Sequence, residues 1–430
     1  MTLAVLAAVV AALIHGRLRS DVVALTGAAL LLLTGVVRPV EVQAAFASPA
    51  IVALASLFVI AFAMELNGLL DSAIRGVVSL CRRIGRAGLW ILIAIAGGAS
   101  AFLNNTPIVV LSAPVVRDVA KSLNLSPKRF LIPLSYAAVL GGSCTLIGTS
   151  TNLLVNDMAA VAGQPRFGIF EITSAGVIVA LTGGLFLLLF SGRLAKGDAT
   201  ELDPNDVLRS NQEPGLAGGQ LGSAIPFAEH RPLQLLKALA SLAVFIGVVT
   251  LAALNVAPIA ATAFAGAVLL ILMRVITADE AYRGLRPEVL MLIAGMVVLG
   301  IALDVTGLAG AATNLLIYWV DDLSPLLALI IIYGATLFAT EILSNATVAV
   351  LVTPIAVSLA EALEVSPRPF LVAVMLAGSA AFATPFGYQT NTIVYQMGGY
   401  NFIDFLKIGI PLNFLTWAAA IIAIQIYFPF

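Results

Sequence analysis

Apolar segments long enough to cross a bilayer recur along this whole chain, and they limit its possible folds more than any other feature. A hydrocarbon core about 30 Å thick requires roughly 20 apolar residues per helix. Only 10% of the 430 residues are charged and 60% are hydrophobic, far from the composition of soluble domains. We therefore predict an all-α integral membrane protein with about ten transmembrane helices. The predicted spans, of which the first is short and 128–160 and 367–398 are broken, are 2–15, 21–37, 49–66, 128–160, 171–192, 236–254, 257–275, 287–305, 367–398 and 408–428.

Two further apolar regions, 88–121 and 323–361, are interrupted in the middle by polar residues. The interruptions read Asn104-Asn105-Thr106-Pro107 and Ser344-Asn345-Ala346-Thr347. Non-helical backbone at membrane depth is tolerated only where protein buries it or where it lines a watery cavity. We therefore predict two re-entrant hairpins, the first entering from the inner side and the second from the outer side, with tips that mark a binding site.

The distribution of basic residues supports this arrangement. Cytoplasmic loops of membrane proteins carry an excess of lysine and arginine, and each added crossing exchanges the two faces downstream. With both termini outside and each hairpin returning to its own face, all but three of the 22 lysines and arginines fall on the inner side. The exceptions are Arg38, Arg166 and Arg368.

An internal repeat divides the chain into two similar halves of five spans each, which an odd number of spans would place in opposite orientations. Matching residues lie 239 or 240 positions apart. We predict a first inverted repeat over 1–194, a cytoplasmic linker over 195–235 and a second inverted repeat over 236–430. The linker contains the polar stretch Ala195 to Pro232, which has too few apolar residues to fold alone. Matching pairs include Asn105 with Asn345, Ser126-Pro127 with Ser366-Pro367, and Thr151-Asn152 with Thr390-Asn391.

Each half has a second break inside its broken span, at Gly141 to Asn152 and at Ala383 to Asn391. Glycine and proline there cannot sustain a helix. With the hairpin tips this gives four interrupted helices, which the repeat symmetry would bring together near the midplane. Helix N-termini after a break suit an anion, and unwound carbonyls with asparagine and serine oxygens suit sodium. Alternatively, such polar residues only bond neighbouring backbone, and the glycines only allow close helix packing.

Carboxylates within the apolar regions form a weaker set of candidates. Glu65 and Asp304 each precede a glycine near the outer end of a span, so a capping role competes with an ion-coupling role. Glu341 on the second hairpin is the other carboxylate to test, and Tyr388 either contacts the substrate or packs.

The remaining chemically reactive residues do not predict an enzyme. The two cysteines lack metal-ligand spacing, and the two histidines lie in predicted cytoplasmic segments. A net charge of −1 gives no reason to expect nucleic acid.

The hairpin motifs Asn104-Asn105-Thr106 and Ser344-Asn345-Ala346, with Gly148-Thr149-Ser150-Thr151-Asn152 and the counterpart ending in Thr390-Asn391, resemble the divalent anion:sodium symporter family of the ion transporter superfamily. The resemblance runs from the first span to the last. It implies a homodimer whose protomers contain a scaffold part and a transport part that moves like an elevator. By motif, it implies sodium ligands at Asn104, Asn105, Gly148, Asn345 and Gly387. It implies anion contacts at Asn105, Thr106, Thr149, Asn345, Tyr388 and Gln389.

Two departures from the family pattern bear on the substrate. Ala346 lacks the hydroxyl expected to hold one carboxylate of a dicarboxylate, and Ser150 and Thr151 replace two prolines usual in dicarboxylate carriers. The sequence motif at 148–152 resembles that of the family's sulfate branch instead. We therefore expect sodium-coupled symport of a divalent oxyanion, sulfate before dicarboxylate, in a bacterial inner membrane. A sodium-coupled dicarboxylate symporter and a sodium/proton antiporter of the same superfamily remain alternatives.

Overall fold

The computed structural model describes residues 1–15, 18–69, 72, 84–194, 233–254, 256–319 and 324–430. The predicted linker stretch Ala195 to Pro232 lies outside these ranges. The other predicted features outside the described residues are Cys81, His230 and the inner cations Arg17, Arg75, Arg82, Arg83, Lys196, Arg209 and Arg231.

Helices make up the regular secondary structure of the described residues. In the first half they are α1 Thr2–His15, α2 Ser20–Leu33, α3 Pro39–Phe46, α4 Pro49–Leu66, α5 Arg86–Ser100, α6 Asn105–Ser122, α7 Lys128–Gly142, α8 Ser150–Val161 and α9 Thr173–Leu194. In the second half they are α10 Leu235–Ala253, α11 Ile259–Leu272, α12 Ala278–Gly284, α13 Pro287–Val305, α14 Leu308–Trp319, α15 Pro325–Thr340, α16 Asn345–Ala362, α17 Arg368–Ala377, α18 Gln389–Gly398 and α19 Phe402–Tyr427.

The predicted all-α membrane fold is confirmed. Six helical segments of the described chain are long and apolar enough to span a bilayer, and six shorter apolar helices accompany them. On α9 and α10 most side chains of the apolar window lie on the outside of the protein, as lipid-facing helices require. The long segments are Pro39–Leu66, Thr173–Ser191, Leu235–Ala253, Pro287–Val305, Asn345–Ala362 and Phe402–Tyr427.

The sequence patterns missed three helices, α3, α12 and α14, and placed the start of α19 six residues too late. α3 and α12 are connectors too short for a hydropathy window. In both, a glutamate at the third helical position, Glu41 or Glu280, accepts a hydrogen bond from the backbone N–H of the residue before the helix. α19 begins at Phe402 because Asn401 and Asp404 form a capping box there. The charge of Asp404 lowers local hydropathy without ending the helix.

The helices pack as two groups. One contains α1 to α4 with α10 to α13, and the other contains α5 to α9 with α15 to α19; α13 packs on α16 between the groups, and α14 packs on both of these helices. The helices of the first half recur in the same order in the second half, so that α2 corresponds to α11 and α4 to α13. Each of these helices packs on a helix of the other half: α2 on α13, and α11 on α4. In the second group the helix after each hairpin tip packs against the post-break helix of the other half, α6 on α18 and α16 on α8.

The three arginines predicted on the outer side all form ion pairs. Arg38 Nη2 lies 2.6 Å from Glu41 Oε1, and Arg166 Nη1 lies 3.2 Å from Asp157 Oδ1. Arg368 pairs with Glu171 and stacks over the ring of Phe167 at 4.1 Å. Arg368 therefore fastens the start of α17 to the 162–172 connection of the first half.

Glycines allow α5 and α7 to approach at backbone distance. A Cβ atom on Gly141 would lie 1.8 Å from the Gly97 carbonyl oxygen, and one on Gly97 would lie 2.8 Å from the Ala137 carbonyl oxygen. Backbone atoms cannot move aside as a flexible side chain can. This contact fixes the first hairpin against the broken span that follows it.

Gly97→Ala is therefore expected to destabilise the protein by about 1–3 kcal/mol through overpacking. The matched control is Gly98→Ala on the same helix, because a Cβ there meets open space. In a helix that change is neutral or favourable by roughly 1 kcal/mol. Thermal unfolding of the purified variants measures the difference, and equal midpoints would contradict a tight α5–α7 contact.

Candidate functional site

The two hairpin tips are short breaks between helices. α5 ends at Ser100 and α6 begins at Asn105, where the Asn104 side chain accepts a hydrogen bond from Thr106 N at 3.2 Å. α15 ends at Thr340 and α16 begins at Asn345, where Ser344 Oγ accepts from Thr347 N at 3.3 Å. The predicted motif residues thus cap and open new helices.

The predicted breaks in the spans 128–160 and 367–398 are also present. α7 ends at Gly142 and α8 begins at Ser150, and α17 ends at Ala377 and α18 begins at Gln389. An asparagine in each new helix holds the unwound chain. Asn152 Nδ2 donates to Thr145 O at 2.9 Å, and Asn391 Nδ2 donates to Thr384 O at 3.1 Å.

Hydroxyl groups that the motif analysis missed order both breaks. Gly148 N donates to Thr145 Oγ1 at 3.1 Å, and Gly387 N donates to Thr384 Oγ1 at 3.0 Å. The Thr145 hydroxyl also donates to the carbonyl of Ala101 in the adjacent hairpin tip, and Thr384 Oγ1 lies 3.2 Å from the carbonyl oxygen of Glu341 in the other tip. These threonines lie 239 positions apart, so the internal repeat contained the signal that could have found them.

A second missed pair holds the hairpin asparagines. The Ser100 hydroxyl donates to Asn105 Oδ1, and Thr340 Oγ1 lies 2.7 Å from Asn345 Oδ1. Ser100 and Thr340 lie 240 positions apart. Both asparagines are therefore oriented by a hydroxyl from the last turn of the preceding hairpin helix.

Oxygen atoms converge on Gly148 and Gly142 in the first half. A Cβ on Gly148 would lie 2.4 Å from Gly142 O and 2.8 Å from Ala101 O, and a Cβ on Gly142 would lie 2.6 Å from Asn105 Oδ1. Asn105 is only 1% exposed. Carbonyl and amide oxygens are the ligands that hard cations prefer. The structure thus brings Asn105 and Gly148 into one oxygen-rich region, with Asn104 at its edge.

In the second half the connection between Asn345 and Gly387 runs through the hairpin. Thr340 contacts Asn345, and the next residue, Glu341, bonds to Thr384, which holds Gly387 N. A Cβ on Gly387 would lie 3.3 Å from Glu341 Oε2. The carboxylate of Glu341 therefore lies beside Gly387, whereas the equivalent residue of the first half, Ala101, has no polar side chain.

Hydrogen bonds between the halves join four of the predicted anion-contacting residues. Asn105 Nδ2 donates to Tyr388 Oη at 2.8 Å, and the Thr106 hydroxyl donates to Gln389 Oε1 at 3.1 Å. Tyr388 both packs against the hydrophobic core and bonds to the first hairpin. Thr149 Oγ1 accepts from Thr151 N at 3.0 Å and lies 3.4 Å from Ser379 Oγ.

A cleft opens beside the first tip, between it and α4. The polar groups that reach this cleft belong to Asn104, Gly148 and Ser150, and its other walls are apolar. Its lining residues are Leu54, Leu57, Phe58, Ala61, Phe102, Leu103, Asn104, Ile147, Gly148, Ser150 and Phe245.

Glu341 is the carboxylate that the structure ties most firmly to the breaks. It accepts hydrogen bonds from Ala383 N at 2.7 Å, Thr384 N at 2.9 Å and Asn413 Nδ2 at 2.8 Å. Glu65 and Asp304 lie at the ends of α4 and α13, where the chain turns at Gly68 and Gly307 with φ of 72° and 69°. Asp304 is exposed.

A sequence model of the citrate transporter family (CitMHS) matches residues 9–364 and 335–430. The chain belongs to this family. An uncharacterised transporter of Synechocystis is 26% identical over 99% of this chain and 97% of its own length. The sodium-dependent dicarboxylate transporter of Staphylococcus saprophyticus is 25% identical over 91% of this chain and 79% of its own length. A probable sodium/sulfate cotransporter of Chlamydomonas reinhardtii is 44% identical, over only 24% of this chain and 12% of its own length.

Solved structures confirm the fold class of this transporter. The YdaH transporter of Alcanivorax borkumensis superposes with a TM-score of 0.61 at 13% identity, covering 90% of this chain and 87% of its own. MtrF of Neisseria gonorrhoeae gives a TM-score of 0.58 at 13% identity, covering 92% and 84%. At these identities the likeness concerns the fold alone. The family match and the relatives named as sodium/sulfate and dicarboxylate transporters confirm the resemblance to the divalent anion:sodium symporters, and the family match identifies a membrane transporter.

Proposed function

We propose that this transporter carries a divalent oxyanion, sulfate, together with sodium ions. The observation that carries the proposal is that four helices begin at breaks inside apolar segments, at Asn105, Ser150, Asn345 and Gln389. A helix N-terminus offers free N–H groups and partial positive charge to an anion.

The charge balance of the site supports sodium as the co-transported ion. The breaks at 100–106, 141–152, 340–347 and 378–391 contain neither lysine nor arginine. A dianion removed from water requires compensating positive charge. Sodium bound by the oxygens around Asn105 and Gly148, and by those around Asn345 and Gly387, supplies that charge without a basic side chain.

The test is uptake of radiolabelled sulfate into proteoliposomes with and without an inward sodium gradient. Sulfate uptake that occurs only with the inward sodium gradient supports the proposal. Sulfate uptake that is equal with and without the gradient overturns it. Empty liposomes control for leakage.

Sodium-coupled dicarboxylate symport is the second candidate, because the Staphylococcus saprophyticus relative named as a dicarboxylate transporter aligns with 91% of this chain. The two candidates differ in competition. Under sodium-driven conditions, unlabelled thiosulfate or molybdate should inhibit a sulfate carrier, whereas succinate should inhibit a dicarboxylate carrier far more strongly.

We further propose a homodimer in the bacterial inner membrane with both termini outside. The excess of basic residues on the predicted cytoplasmic side and the lipid-compatible faces of α9 and α10 support this placement.

The sodium/proton antiporter alternative requires a titrating carboxylate. Loss of flux in Glu65→Gln or Asp304→Asn with sodium binding retained would favour it.

A further inference from the structure

The internal repeat gives each residue of the site a counterpart in the other half. Thr106 corresponds to Ala346, Thr149 to Tyr388, and Ser150 to Gln389. The backbone frame around these positions is shared, because Thr145 and Thr384 hold the two breaks in the same way. The halves of the site therefore share one scaffold and differ in side-chain size and chemistry.

On one side of the site, side chains close the space between two helix N-termini. Tyr388 Oη meets Asn105 Nδ2 at 2.8 Å, and Gln389 Oε1 meets the Thr106 hydroxyl at 3.1 Å. These contacts connect α6 to α18 and use the amide and hydroxyl donors of the first hairpin. An anion on this side would have to displace both bonds.

On the corresponding side α16 packs on α8, and among the described residues no side-chain hydrogen bond joins the starts of these two helices. Ala346 has no hydroxyl, and Asn345 Nδ2 has no hydrogen-bond partner among the described residues, although its Oδ1 is held by Thr340. Thr149 and Ser150 are small where the other half has tyrosine and glutamine. This side therefore keeps the Asn345 amide as a donor without a partner among the described residues, and it carries the smaller side chains.

We infer that Tyr388 and Gln389 determine specificity by filling the half of the site that a second carboxylate would occupy. This inference rests on the proposed function. A compact oxyanion needs one set of donors, next to Asn345 and Ser150. A dicarboxylate needs two separated sets, because each carboxylate must exchange its water for protein donors.

The experiment replaces both residues by their counterparts, as Tyr388→Thr with Gln389→Ser. Purified protein in sodium buffer is titrated with sulfate and with succinate, and stabilisation against thermal unfolding reports binding. We expect the wild type to respond to sulfate and not to succinate. In the double variant succinate should stabilise the protein, with half-maximal stabilisation at a concentration at least about tenfold below the highest one that leaves the wild type unchanged.

Two further variants test whether side-chain size causes the effect and whether the result holds if the double variant does not fold. Tyr388→Phe keeps the ring and loses the hydroxyl, so it should gain no succinate response, and a gain equal to that of the double variant would overturn the size argument. Gln389→Ser alters an exposed side chain and should fold even if the double variant does not. We expect a smaller gain from it.

The outcome is independent of the transport assay. A succinate response that is the same in the wild type and the variants overturns the inference, even where sulfate uptake is driven by sodium. A succinate response that appears in the double variant and in Gln389→Ser but not in the wild type supports the inference. This holds even where sulfate uptake does not depend on sodium and the proposed coupling fails.

Discussion

Asn105→Ala is expected to weaken sodium-dependent uptake of the anion strongly. The Asn105 amide is buried, with Oδ1 accepting from Ser100 and Nδ2 donating to Tyr388 at 2.8 Å. Alanine removes the oxygen that we assign to sodium, and it takes this hydrogen-bond partner from both Ser100 and Tyr388. A hydrogen bond or ligand contact to a charged group is worth about 1.5–3 kcal/mol. The sodium concentration for half-maximal uptake should therefore rise by at least about tenfold.

The matched variant Asn105→Asp separates the two roles of this side chain. It retains an oxygen for Ser100 and for sodium, and the Tyr388 hydroxyl can reverse and donate to the new carboxylate. Sodium binding should therefore persist, whereas the added negative charge should weaken binding of the anion. Uptake measured across separate sodium and sulfate titrations distinguishes these effects.

Asn314→Ala serves as the control, because Asn314 is exposed on α14 and makes none of the contacts described for the site. Its sodium dependence should match that of the wild type. The assignment of Asn105 is contradicted if Asn105→Ala takes up sulfate with wild-type sodium dependence. Asn345→Ala tests the second half in the same way and should also lose uptake.

Local rules predicted the breaks of this fold closely. α6 and α16 restart at Asn105 and Asn345, inside the polar tips identified from the sequence. α8 and α18 restart at Ser150 and Gln389, within the predicted breaks. These boundaries were accessible because glycine, proline and capping side chains end and begin helices through contacts with their near neighbours.

Contacts between the halves were not accessible in the same way. Asn105 and Tyr388 lie 283 positions apart, and nothing in their local patterns pairs them. The internal repeat identifies residues with equivalent positions, such as Ser100 and Thr340, but it does not specify which residue crosses to the other half. That information depends on how α6 packs on α18, which is a tertiary contact.

Glu341→Gln is expected to lower stability and remove transport together. Ala383 N, Thr384 N, Thr384 Oγ1 and Asn413 Nδ2 all donate to this carboxylate, at 2.7–2.9 Å. A glutamine amide accepts at one oxygen only, and its NH₂ group must face donors. Each buried donor left unpaired costs about 1–3 kcal/mol, so the loss should total roughly 2–6 kcal/mol.

The control is Glu361→Gln at the other end of α16, where the exposed side chain accepts one hydrogen bond from the described residues, from Gln164 at 3.5 Å. The chemical change is identical, and neither the unfolding midpoint nor uptake should move. Glu341→Asp retains the charge but shortens the side chain by one carbon, so it should fall between Glu341→Gln and the wild type.

A proton-carrying role for Glu341 makes the opposite prediction. Glutamine mimics a protonated glutamate, so a carrier variant would keep the wild-type unfolding midpoint and show uptake that no longer responds to pH. A structural carboxylate instead holds the break at 383–387 against the second hairpin tip, and its loss frees Thr384 and, through it, Gly387 N. Because Gly387 belongs to the proposed second sodium site, Glu341→Gln should weaken sodium binding even in the fraction of protein that remains folded. Sodium titration of that fraction decides between the two roles.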